Sequence, residues 1–140
     1  MTGKEEGRRA LVTGASNRLS LAVTLAEAGL PGSIINVSSQ MGAVGGPKRT
    51  VCCTTEHALE GATRAMAWQL DTHSIRVNTT PMTTGMLADE DFRRFVTSKI
   101  ALGPIGRIED VIGVVVYLAS DLSTLVTESA LMIDTGWTSA

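Results

Sequence analysis

A chain of 140 residues, 44% apolar and 19% charged, is long enough to bury a core and reads as one domain spanning 1–140. Twelve basic against fourteen acidic residues leave a formal net charge of −2, so neither nucleic acid nor an anionic membrane is an expected partner. The uncharged apolar run Val111 to Ala119 is far too short to cross a bilayer, and Met1-Thr-Gly-Lys-Glu-Glu-Gly-Arg-Arg lacks the apolar core of a secretion signal. A cytoplasmic protein is expected. Its two cysteines, Cys52 and Cys53, are adjacent, which suits neither a structural disulfide nor a Cys-x-x-Cys site, and both are expected as free thiols.

Arg9-Ala-Leu-Val-Thr-Gly-Ala-Ser is a short apolar run entering a glycine turn, the pattern of a buried parallel strand meeting its helix. Ser20 to Ala28 favour a helix, with Gly29 as its C-terminal cap. Pro31-Gly32 breaks the chain before a second strand, Ser33-Ile-Ile-Asn-Val-Ser. Past the glycine-rich loop from Gly42 to Pro47, Ala58, Leu59, Ala62, Ala65, Met66 and Leu70 recur at helical spacing, and that helix ends near Asp71. Ile75-Arg-Val-Asn is a third strand, followed by a Thr, Pro and Gly-rich loop through Gly85. A helix from near Asp89, acidic in its first turn, carries Phe92, Phe95, Val96 and Ile100 on one face. Leu102 to Gly106 is a turn. Glu109-Asp110 then opens another helix with Val111, Ile112, Val115, Val116 and Ala119 facing inward, and Ala130-Leu-Met-Ile-Asp is a last strand before Gly136. Strands alternating with helices define an α/β layer fold on a parallel sheet.

Several stretches carry a family pattern: Ala10-Leu-Val-Thr-Gly-Ala-Ser; Gly32-Ser-Ile-Ile-Asn-Val-Ser-Ser-Gln-Met-Gly; Ile75-Arg-Val-Asn; Leu102-Gly-Pro-Ile-Gly-Arg-Ile-Glu-Asp-Val; and Leu131-Met-Ile-Asp-Thr-Gly-Trp. In them the chain resembles the classical short-chain dehydrogenase/reductases, most closely bacterial members of the glucose dehydrogenase and 3-oxoacyl reductase kind. The resemblance implies a Rossmann-like, doubly wound parallel sheet, NAD or NADP as cofactor, and an ancestral carbonyl reduction or alcohol oxidation. It also implies a truncation, because between Gly29 and Ser33 a family member would supply three more strands with their helices. At about 30 residues per βαβ unit that is roughly a hundred residues. They would include the group that selects NAD from NADP and the Asn of the catalytic tetrad. What is left is a partial NAD(P)-binding domain lacking about three central βα units, with the first family strand expected directly beside the fifth, sixth and seventh. Right-handed crossovers advancing in one direction would put every helix on one face and leave the other sheet face apolar and exposed.

The family's catalytic residues are a Ser, a Tyr thirteen positions on and a Lys four further; here those places hold Ser39, Cys52 and Glu56. In the family the Tyr is general acid toward the substrate carbonyl, the Lys lowers its pKa and holds the cofactor ribose, and the Ser steadies the carbonyl oxygen. The sulfur of Cys52 lies one bond from Cβ and falls short of that carbonyl. An ionised Glu56 only accepts hydrogen bonds, raises the pKa of a neighbouring acid and repels dinucleotide phosphates. Candidate cofactor contacts are Thr13, Gly14, Ser16, Asn17, Arg18 and Leu19. Of the family pattern Thr-Gly-x-x-x-Gly-x-Gly only Gly14 survives, with Arg18 occupying space the pyrophosphate would take and Ser20 replacing the last glycine. In the final motif Glu128 and Thr135 likewise stand where the family has glycine.

Plainer readings accompany each residue. Ser39 reads equally as a loop hydroxyl bonded to backbone, and the cysteines as small buried apolar residues. Glu56 and His57 are adjacent on a helix and do not face each other, Tyr117 reads as packing, and no metal site is expected. The sequence thus points to a short-chain dehydrogenase/reductase homologue whose activity is lost or nearly so. An alternative is a non-enzymatic interaction protein that docks on an intact, full-length homologue. The helix around 52–70 corresponds to the family's oligomer-forming helix, so a homo-oligomer is expected through it. A third reading has a partner chain supplying the missing groups.

Overall fold

The computed structural model describes residues 9–13, 24–81, 89–103 and 105–139, with the backbone alone at Leu11, Thr13, Pro81, Phe92 and Ile108. The turn and helix start expected over 14–23, the loop over 82–88, Pro104 and the side chain of Phe92 lie outside the described residues. Three parallel strands, β1 Ala10–Thr13, β2 Gly32–Ser38 and β3 Ile75–Pro81, form one sheet in the order β1-β2-β3. Leu11 is in register with Ile34 and Ile34 with Val77. The first strand lies directly beside the second, as the truncation implies.

Helical residues 24–27 (α1) stop where the sequence puts a cap. Gly29 has φ +63°, Leu30 N–H donates to the Leu25 carbonyl at 3.0 Å, and Gly29 N–H donates to the Ala26 carbonyl at 3.1 Å. This paired closure satisfies last-turn carbonyls and requires a left-handed residue at that point. Leu25 then joins Ile34, Met66, Ala67, Leu70, Ile75 and Val77 in the core, with Leu30 packed against it.

The long helix α2, Thr50–Leu70, buries Leu59, Glu60, Thr63, Met66, Ala67 and Leu70. Ala58, Ala62 and Ala65 are exposed, against the sequence reading. The buried stripe is fixed by the large side chains Leu59, Met66 and Leu70, and alanines one position off that stripe carry too little apolar area to redirect it.

Helix α3 is Glu90–Lys99 and helix α4 is Ile108–Ala119. α2 and α4 lie on opposite faces of the sheet, which overturns the expectation of helices on one face. Along β2, Asn36 and Ser38 bond to α2, whereas Ser33 Oγ donates to the Leu118 carbonyl of α4 at 2.8 Å. Arg76, in register with Ser33, donates to the carbonyls of Leu118 at 2.9 Å, Ser120 at 3.3 Å and Ser123 at 3.0 Å. These donors fasten the end of α4, where orphan carbonyls need partners. Both connections advance the same way along the sheet on opposite faces, so they are of opposite hand and one of them departs from the right-handed rule. What survives of the exposed apolar face is local: Val12 on β1 is 45% exposed, and on α4 Ile112 and Val116, expected inward, are 53% and 46% exposed.

The last strand expected from Ala130 shortens to a single bridge between Thr79 and Ala130. Thr79 N–H donates to Ser129, and Leu131 N–H donates back to Thr79, but the next donor on β3 would be residue 81, a proline without an N–H. In turn β3 runs on through Thr79–Pro81, sequence read as loop, because β2 extends to Ser38 and supplies partners.

Glu128 and Thr135 have φ of 58° and 57°, in the left-handed region that favours glycine. Each is strained by about 1–2 kcal/mol, part of which glycine would return as chain entropy. Glu128→Gly and Thr135→Gly should therefore each raise unfolding stability by about 0.5–1 kcal/mol in urea titrations, the β-branched Thr135 more than Glu128.

Next to Thr135, Asp134 accepts from Gly136 N–H at 3.0 Å and from Thr138 N–H and hydroxyl at 2.8 and 2.7 Å, holding the turn Trp137–Ser139. Partial burial pushes the Asp134 carboxyl up, but the hydrogen bonds from Thr138 and Gly136 outweigh it and hold it below its usual range. A depressed folded pKa contributes stability above the unfolded value of about 3.9, and that contribution is lost as pH falls through the folded one. Trp137, whose ring meets Phe95 edge-on at 5.7 Å, should thus change its fluorescence only below about pH 4, read in a Trp68→Phe background.

Candidate active site

Parallel strands converge with their carboxyl ends at one pole, where open α/β sheets hold ligands. Ser39 follows β2 at that pole and opens a 3₁₀ turn, Gln40–Gly42, its hydroxyl accepting from Met41 N–H at 3.2 Å. The turn lies close on α2: a Cβ on Gly42 would come within 3.2 Å of Glu60 Cγ and 3.3 Å of the Glu56 carbonyl, so a side chain there would push the turn away. Glycine at 42 is what lets Ser39 reach the helix.

Cys52, Glu56 and Glu60 are spaced four apart and form one stripe of α2. Glu56 Oε2 accepts from Ser39 N–H at 3.1 Å. The structure thus brings Ser39 and Glu56 together, with Cys52 one turn away, a half-buried free thiol. Cys53 turns to the loop, its sulfur 3.7 Å from Met41 Sδ. His57 bonds back to the Cys53 carbonyl at 2.9 Å, is exposed and does not meet Glu56. Of the candidate cofactor contacts only the backbone of Thr13, at the end of β1, is described; Gly14, Ser16, Asn17, Arg18 and Leu19 lie outside the described residues. Among those described, no cluster of His, Cys, Asp or Glu could hold a metal, and no helix is long and apolar enough to cross a membrane.

Sequence reasoning gave Glu60 no role. It is 8% exposed, and its two oxygens accept from Ser38 Oγ at 2.8 Å and Thr79 Oγ1 at 2.9 Å, joining the ends of β2 and β3 to α2. Its recurrence one turn beyond Glu56 was the available signal. A cleft of about 540 Å³ lies at the opposite pole, by Gly32, Asp71, Ile75 and Arg76 at the amino ends of the strands, away from Ser39.

Chemically the stripe offers a thiol and two carboxylates. Glu56 spends one oxygen on Ser39 N–H, and its charge is the wrong sign to activate an acid or to receive a phosphate-bearing cofactor. The described stripe thus offers no cation to a phosphate-bearing cofactor, while the Gly14–Leu19 turn lies outside the described residues.

A parallel three-stranded sheet with helices on both faces and a serine turn packed on a long helix defines a Rossmann-like α/β domain. The family described as enoyl-(acyl carrier protein) reductase matches residues 10–138. The chain belongs to that family, within the short-chain dehydrogenase/reductases. It is 36% identical over 116 residues to D-erythrulose reductase of Gallus gallus, covering 78% of this chain and 47% of that protein. A short-chain type dehydrogenase/reductase from Mycobacterium marinum superposes with a TM-score of 0.80 at 34% identity, covering 87% of this chain and 50% of that one. A 4-hydroxyisoleucine dehydrogenase complexed with NADH gives 0.81 at 28% identity, covering 87% and 53%. The chain spans about half the length of the relatives it matches.

The two carboxylates should behave oppositely on truncation. Glu60→Ala strands two buried hydroxyls and should cost about 2–4 kcal/mol, whereas Glu56→Ala releases one half-buried N–H and should cost at most about 1 kcal/mol, both read from urea midpoints.

Proposed function

We propose that the chain is a truncated, degenerate short-chain dehydrogenase/reductase that no longer catalyses its ancestral NAD(P)-dependent carbonyl reduction or alcohol oxidation. The observation that carries this reading is the Glu56 carboxylate accepting from Ser39 N–H, where the family pattern calls for a lysine ammonium. The replacement of Tyr by Cys52 supports it, since no acid then reaches a substrate carbonyl. The loss of two glycines in the dinucleotide turn points the same way.

A second reading is favoured by α2. Ala58, Gly61, Ala62 and Ala65 leave a low, exposed helix face, beside which Trp68 is 77% exposed. Small residues permit close helix approach and an exposed aromatic is a natural anchor, so this face would dock on a second copy or on an intact homologue.

Titration calorimetry with NADH and with NADPH should give no saturable heat up to about 1 mM, a bound weaker than −4.1 kcal/mol of binding free energy. Turnover of any ketone or alcohol by the purified polypeptide would overturn the reading. Co-purification with a full-length homologue, abolished by Ala65→Glu, would move the assignment to the interaction role.

A further inference from the structure

β1 is an edge strand whose outer side meets no other strand among the described residues. The Arg9 carbonyl accepts from Ser33 N–H at 3.0 Å, which fixes the alternation along β1. Leu11 and Thr13 address β2 through their peptide groups, while Ala10 and Val12 point both N–H and C=O outward. An open row of donors and acceptors is a template for another strand, and proteins blunt such edges with proline, lysine, a bulge or a cover. Ala10-Leu-Val-Thr contains no charge or proline. Its outward residues are exposed, Val12 by 45%, and on the same side of the sheet α4 leaves Ile112 and Val116 exposed.

We infer that β1 pairs antiparallel with β1 of a second copy of this chain, across a two-fold axis at Leu11, fusing two three-stranded sheets into one. A two-fold axis perpendicular to the sheet makes identical edges meet antiparallel and keeps each face on its own side. Centring it at Leu11 sets Ala10 opposite the partner's Val12 and Val12 opposite the partner's Ala10. Both pairs are outward-facing, so each exchanges two hydrogen bonds, and all four outward groups of each strand are satisfied. The register also brings Val12 of each copy beside Ala10 of the other, on the side that carries the uncovered stripe of α4. Because the contact uses the same edge in both copies, it closes at two and does not propagate. The other edge of the sheet cannot substitute, since residues 129–131 already lie on Thr79 and the Pro81 position ends the ladder.

The test separates this interface from association through α2. Ala65→Glu charges the exposed face of α2 and leaves β1 untouched. In that background Val12→Pro removes an outward N–H without touching the bonds to β2, and Val12→Lys keeps the N–H but places a charge at the joint. Light scattering after size exclusion should give twice the chain mass for Ala65→Glu alone. The mass should halve with either Val12 variant, at unchanged circular dichroism. A monomeric Ala65→Glu protein, or Val12 variants that fold and keep the double mass, would overturn the inference. Should neither Val12 variant fold, amide exchange of the Ala65→Glu protein decides: protection at Ala10 and Val12 that rises with concentration supports the pairing, and concentration-independent exchange there refutes it.

Discussion

The Glu60 carboxylate is the joint on which the site end of this fold is assembled. α2 is held to the sheet in two different ways along its length. Towards its C-terminus Met66, Ala67 and Leu70 bury against Ile34, Ile75 and Val77, an apolar contact that is non-directional and tolerant. Towards the strand ends the contact is polar: Asn36 to Thr63, then Ser38 and Thr79 to Glu60. A buried carboxylate is tolerable only where its oxygens are satisfied, and in return it fixes direction as apolar packing cannot. The position of Ser39, one residue past Ser38, is inherited from that bond.

Much of this was legible in the sequence. The strands at Ser33 and Ile75, the helix closing near Asp71 and the cap at Gly29 follow from period and glycine placement, because each is decided locally. What the sequence did not disclose was decided between elements. Which stripe of α2 is buried turned on Leu59, Met66 and Leu70 outweighing the alanines, with two polar residues, Glu60 and Thr63, carried into the core by bonds to residues over fifteen positions away. The last strand failed because of a proline on its neighbour rather than anything in its own residues. For the site, spacing alone named Ser39 and Glu56, but that they are joined through the Ser39 N–H depends on Gly42 admitting the turn to α2.

The face taken by α4 was illegible for a related reason. The right-handed preference describes compact strand-helix-strand units, in which the twist of one strand feeds a single helix back onto the sheet. Between β3 and Ala130 the chain passes through two helices, and what fixes α4 is the set of donors it meets at its end. Ser33 and Arg76 both point to one face, and both reach the Leu118 carbonyl. Two polar side chains in register on adjacent strands thus fix the face that α4 takes.

The same residues explain how the site end of the fold accommodates a carboxylate at position 56. Glu56 costs little structurally because its carboxylate finds Ser39 N–H, a donor that a cation could not have used. Glu128 and Thr135 are different: like Lys48 and Ser74 they hold left-handed backbone at a non-glycine residue, a cost of about 1–2 kcal/mol apiece. Against a total stability of about 5–15 kcal/mol for a typical domain, these four residues and a β1 edge unpaired among the described residues leave a thin margin. A fold so placed gains more than most from a partner that binds only the native state, since mass action adds the association free energy to folding. Pairing through β1 would raise folding stability in the same step that satisfies the outward groups of Ala10 and Val12.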